Sequence, residues 1–166
     1  MVDFVTYQWV VFLHIFGVFV FLLAHGVSSG VGFRIAKERN RERLAALLDL
    51  SGSSYRVMLL GFWWTLLTGL VLGSVGGWWV MQWFWAEILT LIVLAGLMTP
   101  LAGVPNNRVR KVLGLRLPLR RRQPPAQVGT DTELSTALEK VSPIPSAAVG
   151  IIGLGVLLWL MIFKPF

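Results

Sequence analysis

Residues 57–86 read VMLLGFWWTLLTGLVLGSVGGWWVMQWFWA, without a single formal charge. A helix rises about 1.5 Å per residue and the hydrocarbon core of a bilayer is about 30 Å thick, so about 20 apolar residues make one crossing. One straight helix of this stretch would overshoot the bilayer. Gly73, Gly76 and Gly77 interrupt it, and adjacent glycines mark a turn. The stretch therefore predicts two crossings, near 56–74 and 78–102, joined by a tight turn at 73–77.

Two further apolar runs flank this pair. Residues 4–33 carry no formal charge and only two histidines, and residues 141–163 are uncharged up to Lys164. The expectation is an all-α membrane protein, a four-transmembrane-helix bundle in one domain, with helices near 4–33, 56–74, 78–102 and 144–163. The first helix is expected to run on beyond the membrane as an amphipathic extension. Leu44, Leu47 and Leu48 share one side of it, and Ser51-Gly52 ends it. The long loop 104–142 holds several prolines, and one short helix is expected after the capping box Thr130 to Glu133.

Composition agrees. Of 166 residues, 55% are hydrophobic and 14% charged, well under the roughly 25% charged of soluble domains. The net charge of +7 does not point to nucleic acid, because 14 of the 15 basic residues crowd into segments 34–56 and 104–142. That clustering beside apolar runs is the pattern of cytoplasmic loops. It predicts a multi-pass protein of the cell inner (plasma) membrane with both termini outside. The absence of a positive region before the first apolar run argues against a cleavable signal. Trp9, Trp78, Trp79, Trp83 and Trp159 fall in the outer parts of their helices, as an interfacial belt does. Trp63 and Trp64 lie deeper and are expected to pack against a neighbour or a hydrophobic ligand. Arg120, Arg121 and Arg122 are candidates for anionic lipid headgroups, with a solvated basic loop as the alternative.

With no cysteine, thiolate chemistry and iron–sulfur clusters are excluded. The chemistry-bearing residues inside the membrane are His14, His25 and Glu87, and buried ionisable groups are functional candidates. Eleven residues separate the histidines, so they share a helix face about 16 Å apart along the axis. They cannot clamp one iron together. His14 alone, His14 with its mate in a dimer, or a histidine with Met58, Met81 or Met98 are the ways this chain could ligate haem. A chlorophyll-type pigment could likewise take His14. The bland alternative for His25 is an interfacial hydrogen bond. Glu87 falls at nearly the depth of His14, which predicts a pair across the bundle, acting as a proton relay, a ligand-orienting contact or a structural clasp.

Trp9-x3-Leu13-His14-Ile15, the Thr65 to Gly73 segment and the tryptophan-led third helix give the first 100 or so residues a resemblance. They resemble an uncharacterised bacterial family of four-helix integral membrane proteins, and beside it the copper-resistance-D-like and HemJ-type protoporphyrinogen oxidase membrane proteins. In the oxidase family the first-helix histidine resembles a haem ligand, a role that only His14 would inherit. The further histidines of copper transporters are absent, and helices 2 to 4 hold no lysine. Three functional expectations follow. The first is a non-enzymatic accessory or structural subunit, partnered by lipids, other membrane subunits or a second copy. The second is a haem-binding redox or haem-biosynthesis protein using His14. The third is a proton-coupled carrier using His14 and Glu87.

Overall fold

The computed structural model describes residues 4–118 and 127–166. Arg120, Arg121 and Arg122 lie outside the described residues. Six α-helices follow in order: α1 (Phe4–Ile35), α2 (Arg41–Gly76), α3 (Gln82–Met98), α4 (Val104–Val112), α5 (Asp131–Glu139) and α6 (Pro143–Phe163). Four stretches are long and apolar enough to cross a membrane: Phe4–Ile35, Arg41–Gly76, Gln82–Val112 and Asp131–Phe163. No β-strand occurs among the described residues.

The amphipathic extension belongs to the second helix, not the first. Helix α1 stops at Ile35, and the side chain of Asn40 accepts from the N–H groups of Glu42 and Arg43 to start α2. Asparagine is among the best residues at this position because its short side chain reaches the free amides of the first turn. In the connection, the backbone N–H groups of Asn40 and Arg39 both donate to Glu38 at 2.9 Å. These bonds hold the Glu38 carboxyl below its ordinary value. From Asn40, α2 runs unbroken through Ser51 and Gly52 to Gly76. Gly52 is not a terminator. It makes room for Arg110 of α4, whose Nη2 would lie 2.6 Å from a Cβ at that position.

The turn at 73–77 forms as expected. Gly77 adopts φ +68° and donates its N–H to Gly73 O, a left-handed conformation that closes helices and suits glycine. The third helix begins later than 78. Residues Trp78–Val80 make a short 3-10 turn, Met81 is extended, and α3 starts at Gln82. At its other end α3 passes through a π turn, Thr99–Gly103, into α4. Pro100 cannot donate a backbone hydrogen bond, and a wide turn absorbs the missing bond without ending the helix. The irregular loop therefore begins after Val112 rather than at 104. Thr130 and Glu133 form the capping box at the start of α5, with both reciprocal bonds in place.

Helix α1 packs along α2, and α3 along α6. Glycines set the close approaches. A Cβ on Gly61 would sit 2.7 Å from the backbone N of Phe21, so α1 and α2 meet backbone to side-chain-free backbone. Gly153 of α6 receives Leu94 of α3, and Gly73 of α2 receives the ring of Phe84. The two ends differ in character. At the basic end Val31, Ile35, Leu44, Leu48, Val109, Leu134, Ala137 and Leu138 form a buried core that joins α1, α2, α4 and α5. Arg110 locks it, donating to Leu48 O and to Arg116 O. At the other end an aromatic cluster surrounds Lys164, whose ammonium lies 4.7 Å from the Trp78 ring and 5.1 Å from Trp83.

The glycine contacts make a paired prediction. Gly61→Ala drives a methyl into Phe21 backbone, and Gly26→Ala meets open space, with nothing of the chain within 4 Å. Unfolding measured in mixed micelles is expected to show Gly61→Ala destabilised by about 1–3 kcal/mol, the ordinary cost of overpacking. Gly26→Ala is expected to be neutral or slightly stabilising. Equal losses at the two positions would contradict the α1–α2 packing.

Candidate functional site

Position 14 lies ten residues into α1, about 15 Å from its start. Three residues of α2 build the seat of its imidazole. Gly69 opens the space, since a Cβ there would be 3.2 Å from Cε1 of His14. Thr65 and Thr68 lie three apart, on one face of α2. The ring nitrogen Nδ1 is 3.1 Å from Thr65 O and 3.1 Å from Thr68 Oγ1.

These contacts assign the tautomer. A carbonyl oxygen only accepts, so Nδ1 carries the proton and donates to Thr65 O. Thr68 Oγ1 accepts from the same N–H, and its own hydrogen goes to Trp64 O at 2.8 Å. A neutral imidazole protonated at Nδ1 leaves a lone pair on Nε2. No hydrogen bond to Nε2 of His14 occurs among the described residues. The enclosed polar side-chain atoms without a partner are instead the hydroxyls of Ser28 and Thr65. The seat thus holds one nitrogen and presents the other at the surface of the α1–α2 pair.

Trp64 braces this arrangement, donating from Nε1 to Leu13 O at 2.9 Å while its ring covers Gly17. It is 47% exposed and Trp63 is 56% exposed, so the face beside His14 is broad, apolar and aromatic. The expectation that the deeper tryptophans pack on a neighbouring helix holds for Trp64.

His25 is placed differently. Its ring stacks on Phe21, with centroids 5.9 Å apart. Its Nε2 faces Ser29 Oγ at 3.5 Å and lies 3.0 Å from where a Cβ of Gly150 would be, with the methyl of Met98 3.3 Å from the same point. Here α1, α3 and α6 converge, and the α6 backbone stands where an iron and its macrocycle would have to go. His25 is therefore a packing residue in this structure, which corrects its candidacy as a cofactor ligand.

The structure also separates His14 from Glu87. His14 spends Nδ1 on α2, whereas Glu87 sits on α3, within the electrostatic reach of Lys164 at the end of α6. No hydrogen bond or ion pair joins His14 and Glu87. Their equal depth was right to note, but depth fixes only one of the two coordinates a contact needs, and the rotation of α1 turns His14 toward α2. No group of three or more histidine, aspartate and glutamate side chains is placed to hold a metal ion among the described residues. The residues missed by sequence reasoning are Thr65 and Thr68. Their signal was a pair of hydroxyls three apart in an otherwise apolar run.

No protein-family model, curated protein or solved structure gives a significant match to this chain.

A double-mutant cycle tests the seat. His14→Ala and Thr68→Val are expected to couple by about 0.5–1.5 kcal/mol in unfolding measurements, the usual net value of one hydrogen bond. The pair His25→Ala and Thr68→Val should be additive. Additivity in both cycles would mean that Thr68 does not hold His14.

Proposed function

We propose that this chain is a non-catalytic subunit of an inner (plasma) membrane assembly that holds haem b or a chlorophyll-type pigment through Nε2 of His14. The observation that supports this reading is the pinned tautomer. An Nδ1–H bound to a backbone carbonyl fixes the ring and makes Nε2 a better donor, which is how proteins prepare a histidine to ligate a metal. In hydrocarbon an uncompensated polar atom costs several kcal/mol by order of magnitude. A presented lone pair with no partner in its own chain is therefore best matched by a bound group. The donor set fits a tetrapyrrole metal with one protein ligand from this chain. A second ligand would come from another subunit or from the His14 of a second copy.

Bound there, the group would supply electron-transfer or light-absorbing chemistry of its own. The chain's residues would do the rest. His14 would bind it, Thr65 and Thr68 would set the ring plane, and the aromatic face around Trp63 and Trp64 would keep water away. The distribution of lysine and arginine supports an orientation with both termini outside and the Arg110 core in the cytoplasm. His14 then lies in the outer half of the bundle. The carrier reading has no His14–Glu87 contact to run through.

The test is an absorbance spectrum of the detergent-extracted protein, as isolated and after titration with haemin. A Soret or pigment band is expected, lost in His14→Ala and kept in His25→Gln. A wild-type preparation that stays colourless and does not take up haemin would overturn the cofactor reading. It would leave the cofactor-free accessory subunit as the better account.

A further inference from the structure

Helix α4 continues the third span and ends at Val112, and α5 ends three residues before α6 begins. The segment Gln82–Val112 has 31 residues, about 46 Å of helix against about 30 Å of hydrocarbon. Its last turns therefore emerge at headgroup level. Arg108 and Lys111, three apart, share a face of α4. Across from them, Thr132, Thr136 and Lys140 follow at four-residue spacing along α5. All five line one open groove of about 490 Å³.

The groove is electropositive and its cations are unspent. Among the described residues, no ion pair or side-chain hydrogen bond engages Arg108, Lys111 or Lys140. Residues 119–126, which lie outside the described part, contain no acidic residue. One carboxylate, Glu133, also lines the groove. It is committed to the capping box, accepting from Thr130 N at 2.8 Å and Thr130 Oγ1 at 3.2 Å. The next acid along, Asp131, is held by Arg41 at 2.7 Å. Three cations against one occupied carboxylate leave two positive charges facing the opening.

We propose that this α4–α5 groove binds a phosphate anion, with Arg108, Lys111 and Lys140 as its cationic ligands. The proposal is independent of His14 and of any cofactor. The position of the groove at the end of one span and the start of another favours the phosphate of an anionic phospholipid headgroup as the source. Arginine supplies the planar, two-pronged donor that suits phosphate, and the two lysines supply mobile point charges.

Native mass spectrometry of the full chain in detergent tests it with three probes: phosphatidylglycerol, phosphatidylcholine and inorganic pyrophosphate. Wild type is expected to retain phosphatidylglycerol over phosphatidylcholine. R108Q/K111Q/K140Q is expected to lose that affinity by on the order of a hundredfold, at roughly 1 kcal/mol per basic residue. R120Q/R121Q/R122Q should keep it. Pyrophosphate binding that depends on the same three residues, without phosphatidylglycerol binding, would support the site and assign it to a soluble phosphoryl ligand. The single variant Lys140→Gln alters an exposed side chain and serves if the triple variant does not fold; it is expected to weaken binding several-fold. Wild type that binds neither anion above phosphatidylcholine, or groove variants that bind both as wild type does, would overturn the proposal.

Discussion

A polar group carried into hydrocarbon has no water to turn to, so the chain must satisfy it or bind something that does. Most of this bundle obeys that constraint locally. Thr90 donates to Ala86 O, Thr99 to Ala95 O and Ser74 to Leu70 O, each one helical turn back. Trp64 meets the same need between helices by donating to Leu13 O. His14 is the place where the rule is met on one side and left open on the other. Its Nδ1 is fully used by α2, and its Nε2 is not used by the chain at all. The functional reading rests on that asymmetry.

The seat of His14 exists because α1 and α2 approach closely, and they do so because glycines line the contact. Gly61 meets Phe21 backbone, Gly17 lies under Trp64, and Gly69 leaves room for the imidazole itself. Away from the membrane the logic changes to that of a soluble protein. The ends of α1, α2, α4 and α5 bury aliphatic side chains against one another, and Arg110 is drawn into them by two carbonyl acceptors. This compact end fixes the start of α2 relative to α4. It also sets α4 beside α5, and so shapes the cationic groove.

Much of the architecture was legible in the sequence because it follows from length and charge alone. The spans came from apolar runs, the turn at 73–77 from glycines that can adopt a left-handed backbone, and α5 from a capping box with both members present. The errors share one cause. Leu44, Leu47 and Leu48 recur at helical spacing whichever helix they belong to, so periodicity could not say that Asn40 restarts the chain as α2. Gly52 looked like a stop because its real function, making way for Arg110, lies 58 positions further along the chain. His14 and Glu87 matched in depth, but the rotation of α1 that directs His14 to Thr65 and Thr68 depends on packing that no local pattern reports.

The central claim is the protonation pattern of one imidazole. The chain has only two histidines, so a nitrogen-15 spectrum of histidine-labelled protein in bilayers, repeated on His25→Gln, isolates His14. A protonated Nδ1 and a bare Nε2 are predicted in the absence of bound ligand, with Nε2 shifting when haemin or a metallated pigment is added. Protonation at Nε2 with a bare Nδ1 would contradict the account, because Thr65 O would then have no donor and the chain would present no ligand to the membrane.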